Sequence, residues 1–314
     1  MFVATLIADG GVDAALLSEV AHQFDTDCTA GTLCAPIAMI DEGHAGDFFF
    51  SATGDFDASQ CPELAEAIRE QALSIAKGGF GRDLRLDVVV QPAANREKKL
   101  LIADMDSTMI TVECIDELAD YAGIKAQIAE VTERAMRGEL DFGAALDARV
   151  ALLKGLSESA IEQCLAERVK LMPGAKALVQ TMRARGATCV LVSGGFTRFA
   201  EPVGAEIGFH RVIANRLVIA DGALDGTVER PIVDSGTKLD TLLAVRAELG
   251  LGASDTLAVG DGANDLAMIR EAGLGVAYHA KPIVAAAAGA RVDHGDLTAL
   301  LYAQGIARGD WVTS

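Results

Sequence analysis

Five short apolar runs constrain this chain more than any other feature: LLIAD (100–104), TCVLVSG (188–194), RVIAN (211–215), TLAVGD (256–261) and LGVAY (274–278). Each is rich in Val, Ile, Leu or Ala, and none alternates polar with apolar. A strand with one wet face alternates with a period of two. A run without alternation is buried on both faces, as the strands of a parallel sheet covered by helices are. Helical patterns lie between several of the runs, so the expected fold is α/β, a doubly wound and mostly parallel sheet. At 314 residues, 51% of them hydrophobic, the chain is long enough for one large domain plus a small one. Between the first and second runs lie about 80 residues, Thr108 to Gly186, that read as mostly helix. A single crossover helix needs far fewer. The excess predicts a helical cap, at about 108–186, inserted over the first strand's end. RLVIADGALDGTVE (216–229) reads as a β-hairpin turned at Asp221-Gly222 or Asp225-Gly226, and AAAAGA (285–290) as helix.

Residues 1–95 follow a different pattern and are expected to form a separate domain, with 96–314 as the larger one. FVATLIA reads as a strand, VDAALLSEVAHQF as an amphipathic helix, and the stretch from Leu33 to Ile40 as a strand. DFFFSATG alternates poorly but is rich in β-formers. CPELAEAIREQALSIA is a helix with Ser59 as its expected N-cap and Pro62 near its first turn. LRLDVVVQP is a strand ended by proline. The order β-α-β-β-α-β predicts a small ferredoxin-like α+β unit. A polar linker, AANREKK, follows.

Charge narrows the partners. The net charge is −18, from 27 Lys and Arg against 45 Asp and Glu, with no basic stripe. That argues against nucleic acid and against an acidic membrane surface. No apolar stretch reaches the length of a membrane span, and MFVATLIADGG has neither a basic region nor a clear cleavage site, so no signal peptide is expected. The six cysteines are scattered and none forms a CxxC pair, which predicts reduced thiols in a cytoplasmic protein. If the substrate is an anion, a local positive field or a metal must overcome the global one.

In such sheets ligands bind beyond the carboxyl ends of the strands. After the first run come Asp104 and Asp106. After the second come Ser193, Gly194 and Gly195, then a helix beginning near Phe196. After the fourth come Asp261, Gly262, Ala263, Asn264 and Asp265, and Lys238 opens another helix in DSGTKLDTLLAV. Carboxylates from separate strands repel unless a hard divalent cation joins them, and Mg²⁺ is the usual choice beside phosphate. A Ser-Gly-Gly turn before a helix offers free N–H groups to a phosphate, and a lysine adds a point charge. One aspartate of the pair can attack phosphorus while the other, if its pKa is raised, moves the proton. Singly, each of these motifs is a common turn, cap or surface lysine. Their order and shared strand-end placement point to metal-assisted phosphoryl transfer.

DMDST, SGG, a downstream Lys and GDGANDLAM resemble the four motifs of the haloacid dehalogenase superfamily. VECIDELADYAG, EVTERAMRGELDF, ARVALLKGL, LMPGA, VSGGFTRFAEPV and GLGVAYHAKP resemble the phosphoserine phosphatase branch of it. The resemblance covers roughly residues 98–300. It implies that Asp104 is the nucleophile and a Mg²⁺ ligand, and that Asp106 is the general acid/base with its backbone carbonyl a second ligand. Asp261 is then the third ligand, and Asp265 supports the metal shell. Ser193, Gly194, Lys238 and Asn264 hold the phosphate and substrate, while Glu113 and Arg149 in the cap hold the serine amine and carboxylate. The implied reaction converts O-phosphoserine to serine and phosphate through an aspartyl-phosphate, the last step of serine biosynthesis. Phe142 and Met136 belong to the core by default and could shield the site when the cap closes.

Two nearby alternatives share the chemistry: another small phosphate monoester as substrate, or transfer to an alcohol acceptor. A different class is a serine sensor, since residues 1–95 weakly resemble the ACT-like regulatory modules that bind amino acids, often as homodimers. The intact motifs favour the enzyme. All of them lie beyond Leu100, so residues 1–95 are expected to be dispensable for chemistry. Asp55, Asp57, Ser59 and Glu66 roughly fit a calcium loop, but Pro62 and a missing glycine argue against one.

Overall fold

The computed structural model describes residues 1–137 and 139–312, apart from the side chain of Met136. The cap position expected for that side chain therefore lies outside the described residues. The chain opens with β1 (Phe2–Val12), α1 (Ala14–Asp27), β2 (Gly31–Leu33), β3 (Ala38–Asp41), β4 (Gly43–Ala52), α2 (Cys61–Phe80) and β5 (Leu86–Pro92). These form an antiparallel sheet in the order β2-β4-β1-β5 with two helices. The strand expected over Leu33–Ile40 is an edge strand in two pieces. Both β2 and β3 pair with β4, and Pro36, which has no N–H for the ladder, falls in the gap.

Both faces of this sheet are buried. In β5, Leu86, Val88 and Val90 pack with α1 and α2, whereas Asp87, Val89 and Gln91 face the rest of the chain. In β4, Phe48 and Phe50 face the helices, and Ala45 and Asp47 face the other way. A period of two is present but apolar on both sides, which is why DFFFSATG reads poorly. The cap expected at Ser59 is not there. Asp57 caps a short 3₁₀ turn ahead of α2, and its carboxylate accepts from the Ser59 N–H (2.8 Å) and hydroxyl (2.6 Å).

The polar segment 93–99 is pinned down. Arg96 pairs with Asp47 at 2.6 Å and donates to Thr5 Oγ1 and to the carbonyls of Tyr302 and Ala303. Lys98 is buried and donates to the carbonyls of Asn95 and Ser254.

The remainder runs β6 (Leu100–Ala103), α3 (Cys114–Tyr121), α4 (Lys125–Met136), α5 (Phe142–Leu152), α6 (Glu158–Arg168), α7 (Ala175–Ala184), β7 (Thr188–Phe196), α8 (Thr197–Ile207) and β8 (Arg211–Asn215). It continues through β9 (Leu217–Ala220), β10 (Ala223–Val228), α9 (Ser235–Glu248), β11 (Thr256–Gly260), α10 (Leu266–Glu271), β12 (Leu274–Tyr278), α11 (Pro282–Ala285), β13 (Ala290–Val292) and α12 (Ala299–Ala303). Six strands pair in the order β13-β12-β11-β6-β7-β8, every pair parallel. Four of the five apolar runs are the buried strands the patterning predicts, whereas RVIAN forms the edge strand β8, in which only Asn215 is buried, because no further strand covers it. Leu101, Ala103, Cys189, Leu191, Leu257 and Val259 enter the core on one face, and Leu100, Ile102, Val190, Val192 and Ala258 the core on the other. The architecture is a haloacid dehalogenase-like α/β sheet with an additional N-terminal antiparallel α+β unit.

The hairpin turns at Asp221-Gly222, both in the left-handed region (φ +51° and +78°), as a type I′ turn requires. It lies along the loop before α6, where the Gly155 N–H donates to Leu224 O and the Leu224 N–H donates to Leu156 O. The alanine run is not helix throughout. Helix α11 stops at Ala285, and Ala290 to Val292 pair with Val276 to Tyr278, because the free edge of β12 outweighs alanine's helix preference. Among the described residues no helix is long and apolar enough to cross a membrane.

Candidate active site

The C-terminal ends of β7, β6 and β11 lie side by side because β6 pairs with both neighbours. Asp104, one residue past β6, donates its N–H to Val259 O (3.0 Å) and is 5% exposed. Lys238, in the first turn of α9, is 1% exposed. Its ammonium lies 2.6 Å from Asp104 Oδ1 and 2.6 Å from Asp265 Oδ1. Burial alone would lower the lysine's pKa, but the two carboxylates outweigh it and hold the group above its ordinary value.

Carboxylate oxygens of Asp104, Asp261 and Asp265 all lie within 4.8 Å of one another. Burial, then the Asp104 and Glu113 charges, push the Asp261 carboxyl up to about 6. Burial and Asp104 raise Asp265 as well, against the pull of Lys238 and of the Gly262 N–H. Lys238 thus pairs with two of the three carboxylates and leaves Asp261 without an ion pair among the described residues. An all-oxygen donor set with surplus negative charge fits a hard divalent cation. The clustered trio includes Asp265 rather than the Asp106 side chain; it was the Asp106 backbone carbonyl that was expected as a ligand.

Asp106 points elsewhere. Its Oδ1 accepts from the Cys114 N–H at 3.4 Å, and burial, then Glu113 and Asp104, push its carboxyl well above the usual carboxylate range. Ser107 holds a left-handed backbone (φ +55°), a costly conformation for a non-glycine residue, and its hydroxyl donates to Glu113 Oε1 at 2.7 Å.

The glycines keep the floor open. A Cβ on Gly195 would stand 3.0 Å from Ser193 Oγ and 3.2 Å from Asp106 Oδ2, and one on Gly194 would stand 3.3 Å from the Phe142 ring. Ser193 is buried, and its Oγ accepts from the Gly195 N–H at 2.9 Å. Gly260 has no room for a Cβ, which would fall 2.4 Å from the Asp265 carboxylate.

A cavity of about 510 Å³ joins these parts. Asp104, Asp106, Ser193, Gly194, Asp261 and Asn264 line it at the strand ends, and Glu113 and Arg149 from the helical segment between β6 and β7. Lys238 and Asp265 are buried and are not among the lining residues. Arg149 sits in the last turn of α5, half-buried, and its Nε donates to Ala145 O at 3.3 Å. Among the described residues it pairs with no carboxylate. Burial lowers its pKa, against the charges of Asp116, Glu113 and Asp106. Phe142 lines the cavity, not the core.

Two charged lining residues escaped the sequence reading. Asp116 stands one helical turn after Glu113, a spacing that puts both on one face. Lys281 follows the end of β12, so applying the strand-end rule to that fifth run would have found it.

Residues 101–270 match the family model of haloacid dehalogenase-like hydrolases. A phosphoserine phosphatase of Mycobacterium tuberculosis is 42% identical over 240 residues, which are 76% of this chain and 58% of that protein. The chain thus spans less than two thirds of that relative. A phosphoserine phosphatase of Streptomyces coelicolor is 37% identical over 300 residues, 95% of this chain and 72% of that protein. The solved structure of a probable phosphoserine phosphatase from Vibrio cholerae superposes with a TM-score of 0.72 at 32% identity, covering 98% of this chain and 87% of that one. Sheet order, strand-end motifs and relatives agree, and the chain belongs to the haloacid dehalogenase-like hydrolases, in their phosphoserine phosphatase family.

Proposed function

We propose that this protein hydrolyses O-phosphoserine to serine and inorganic phosphate, with Asp104 as nucleophile and Mg²⁺ as cofactor. The observation that carries the reading is Arg149, a half-buried guanidinium without a carboxylate partner among the described residues, facing with Glu113 the cavity that Asp104 and Asp106 line. Phosphoserine is a small zwitterion with a phosphate. Its carboxylate fits a two-pronged, charge-assisted pair with Arg149, and its ammonium fits Glu113, with Asp116 adding negative charge beside it.

Asp104, the Asp106 backbone carbonyl and Asp261 would hold the cation, with Asp265 supporting them. Mg²⁺ would supply counter-charge to the carboxylates and polarise the phosphoryl group. Lys238 holds Asp104 Oδ1 and leaves Oδ2 for attack. The Asp104 oxygen bonds to phosphorus while the bond from phosphorus to the seryl oxygen breaks. That oxygen takes the proton of Asp106, whose carboxyl is raised well above the usual carboxylate range by burial and by the neighbouring Glu113 and Asp104 charges. The Asp106 carboxylate next takes a proton from water. The water oxygen bonds to phosphorus, the Asp104–phosphorus bond breaks, and phosphate leaves. Ser193, the Gly194 N–H and Asn264 hold phosphate oxygens throughout, and Lys238 adds a positive charge behind Asp104. Phe142, against Gly194, helps exclude bulk water.

The test is phosphate release from O-phosphoserine, O-phosphoethanolamine and an aryl phosphate, with Mg²⁺ and after chelation. We expect turnover to need the metal and to favour phosphoserine strongly over the analogue without a carboxylate. Equal rates on the first two substrates would remove Arg149 from recognition, and with it the assignment of substrate.

A further inference from the structure

A fourth strand end borders the catalytic cavity, and its residue has no role in the mechanism above. Strand β12 stops at Tyr278, and three residues later Lys281 lines the cavity. The segment is firmly held. His279 takes a left-handed backbone (φ +43°), its N–H donates to Val292 O at 2.9 Å, and its Nε2 lies 2.8 Å from Gly295 O. Pro282 restricts the residue before it to extended backbone, and Lys281 has φ −62° and ψ 149°. The Lys281 N–H donates to Asp261 O at 3.3 Å. The backbone of Lys281 is thereby fastened to the loop that carries Asp261 and Asn264.

Its side chain is exposed and, among the described residues, pairs with no carboxylate. The surroundings make that notable. Asp104, Asp106, Glu113, Asp116 and Asp261 line the cavity with carboxylates, against Arg149 and Lys281 as its lining cations. Lys238 is committed to Asp104 and Asp265. With a net charge of −18, the chain repels a phosphate dianion at long range. The two lining cations also sit at different ends. Arg149 stands on α5, whereas Lys281 follows β12 and its backbone is hydrogen-bonded to Asp261 at the end of the sheet.

We propose that Lys281 is a further substrate-binding residue, whose ammonium draws the phosphate dianion to the sheet side of the cavity, holds one of its oxygens as the ester enters, and contacts inorganic phosphate before it leaves. This deepens the proposed function and rests on that reading only so far as a phosphate monoester binds here. It does not depend on the group esterified to the phosphate. A lysine that merely occupies the surface would affect neither phosphate affinity nor its response to salt.

The experiment uses the full chain with Mg²⁺ and the variants Lys281→Met and Lys281→Arg. KM and kcat are measured for O-phosphoserine and p-nitrophenyl phosphate across a range of NaCl concentrations, with the Ki of inorganic phosphate alongside. One charge-assisted contact to phosphate predicts that Lys281→Met raises both KM values and the Ki about tenfold, while kcat stays within about threefold. The fall of kcat/KM with salt should flatten in the same variant, because part of the steering charge is gone. Lys281→Arg should recover most of the affinity.

KM and Ki values within about twofold of the parent in Lys281→Met would overturn the proposal, since an exposed charge without a contact has an effect of that size. A KM raised for phosphoserine alone would overturn it too, by moving Lys281 to the amino-acid end. If phosphoserine fails as a substrate while p-nitrophenyl phosphate is hydrolysed, the substrate assignment falls. The aryl KM and the phosphate Ki then decide on Lys281 independently. If neither ester is turned over, calorimetric titration of parent and Lys281→Met with inorganic phosphate decides by the same tenfold and twofold limits.

Discussion

Charge is buried at several places in this protein, and two of them are built differently. Under the N-terminal sheet, Asp47 is 3% exposed and meets Arg96 at 2.6 Å, with Thr5 donating to the same carboxylate at 2.8 Å. Arg96 spends its other N–H groups on Thr5 and on the Tyr302 and Ala303 carbonyls. One anion there faces one cation, donors find acceptors, and the cluster joins the N-terminal unit to α12. At the end of the parallel sheet, Asp104, Asp261 and Asp265 cluster while Lys238 pairs with only Asp104 and Asp265, and the surplus charge faces a cavity. The lesson is that buried charge marks chemistry where it is left unbalanced beside open space. Balanced and enclosed, it marks attachment.

The comparison breaks most sharply at Asp104. Asp104→Asn should cut turnover by on the order of 10⁴-fold or more, since an amide cannot form the aspartyl-phosphate. Its melting temperature should stay level or rise, because one of three mutually repelling carboxylates is gone. A trapped phosphoenzyme in that variant would mean another residue attacks. Asp47→Ala should do the reverse. Leaving the half-buried Arg96 without its carboxylate partner costs at most about 3–5 kcal/mol of stability, read from denaturant unfolding, while kcat per folded molecule stays near that of the parent. A large loss of kcat in folded Asp47→Ala would show that the attachment reaches the chemistry. A chain beginning at Ala93 would strand the same arginine and take away the Asp41 and Gln91 partners of Tyr302 and Ala303, so its catalytic machinery should survive in a less stable protein.

Arg149→Ala comes next in size. A charge-assisted hydrogen bond contributes about 1.5–3 kcal/mol, so kcat/KM for phosphoserine should fall roughly 10- to 100-fold. An aryl phosphate, with no carboxylate to hold, should lose far less. Equal losses on both substrates would assign Arg149 to closing or supporting the cap.

The smallest effect concerns pH in metal-free protein. The Asp261 carboxyl is raised from 3.8 to about 6 in the fold, so between those values the folded state binds more protons than the unfolded one. Stability from this group therefore falls as pH rises through that window and levels off above it. Asp261→Asn should be the more stable protein above pH 6, with the difference vanishing as pH falls below 4, and thermal melts across that range provide the check. A pH-independent difference would mean the strain at Asp261 is steric rather than electrostatic.

Which parts of this were legible in the residues follows from how local each signal is. LLIAD, TCVLVSG and TLAVGD announce themselves because strands buried on both faces tolerate no alternation, and chemistry in such sheets gathers where they end. Asp104, Asp106, Ser193, Gly194 and Asp261 could therefore be found by position alone. The N-terminal strands were harder for a related reason. Val88 and Val89 are both buried, but on opposite faces against different partners, and a string of letters does not separate two apolar faces from none. Ser59 and Asp57 are both good caps, and which one serves depends on a 3₁₀ turn of three residues.

The sequence by itself determined the parallel sheet, its strand-end motifs and the surplus of acid, because each is written in neighbouring residues or in the total. Only the tertiary structure decided what lies across from what. It drew β13 out of an alanine run by offering the edge of β12, and it bound the polar segment around Arg96 to a carboxylate 49 positions away. It also set Arg149 and Lys281 around one cavity from places 132 residues apart, 281 less 149. Hydrogen bonds and charges act over a few ångströms, and separation along the chain does not report distances of that kind once a sheet has paired its strands out of order.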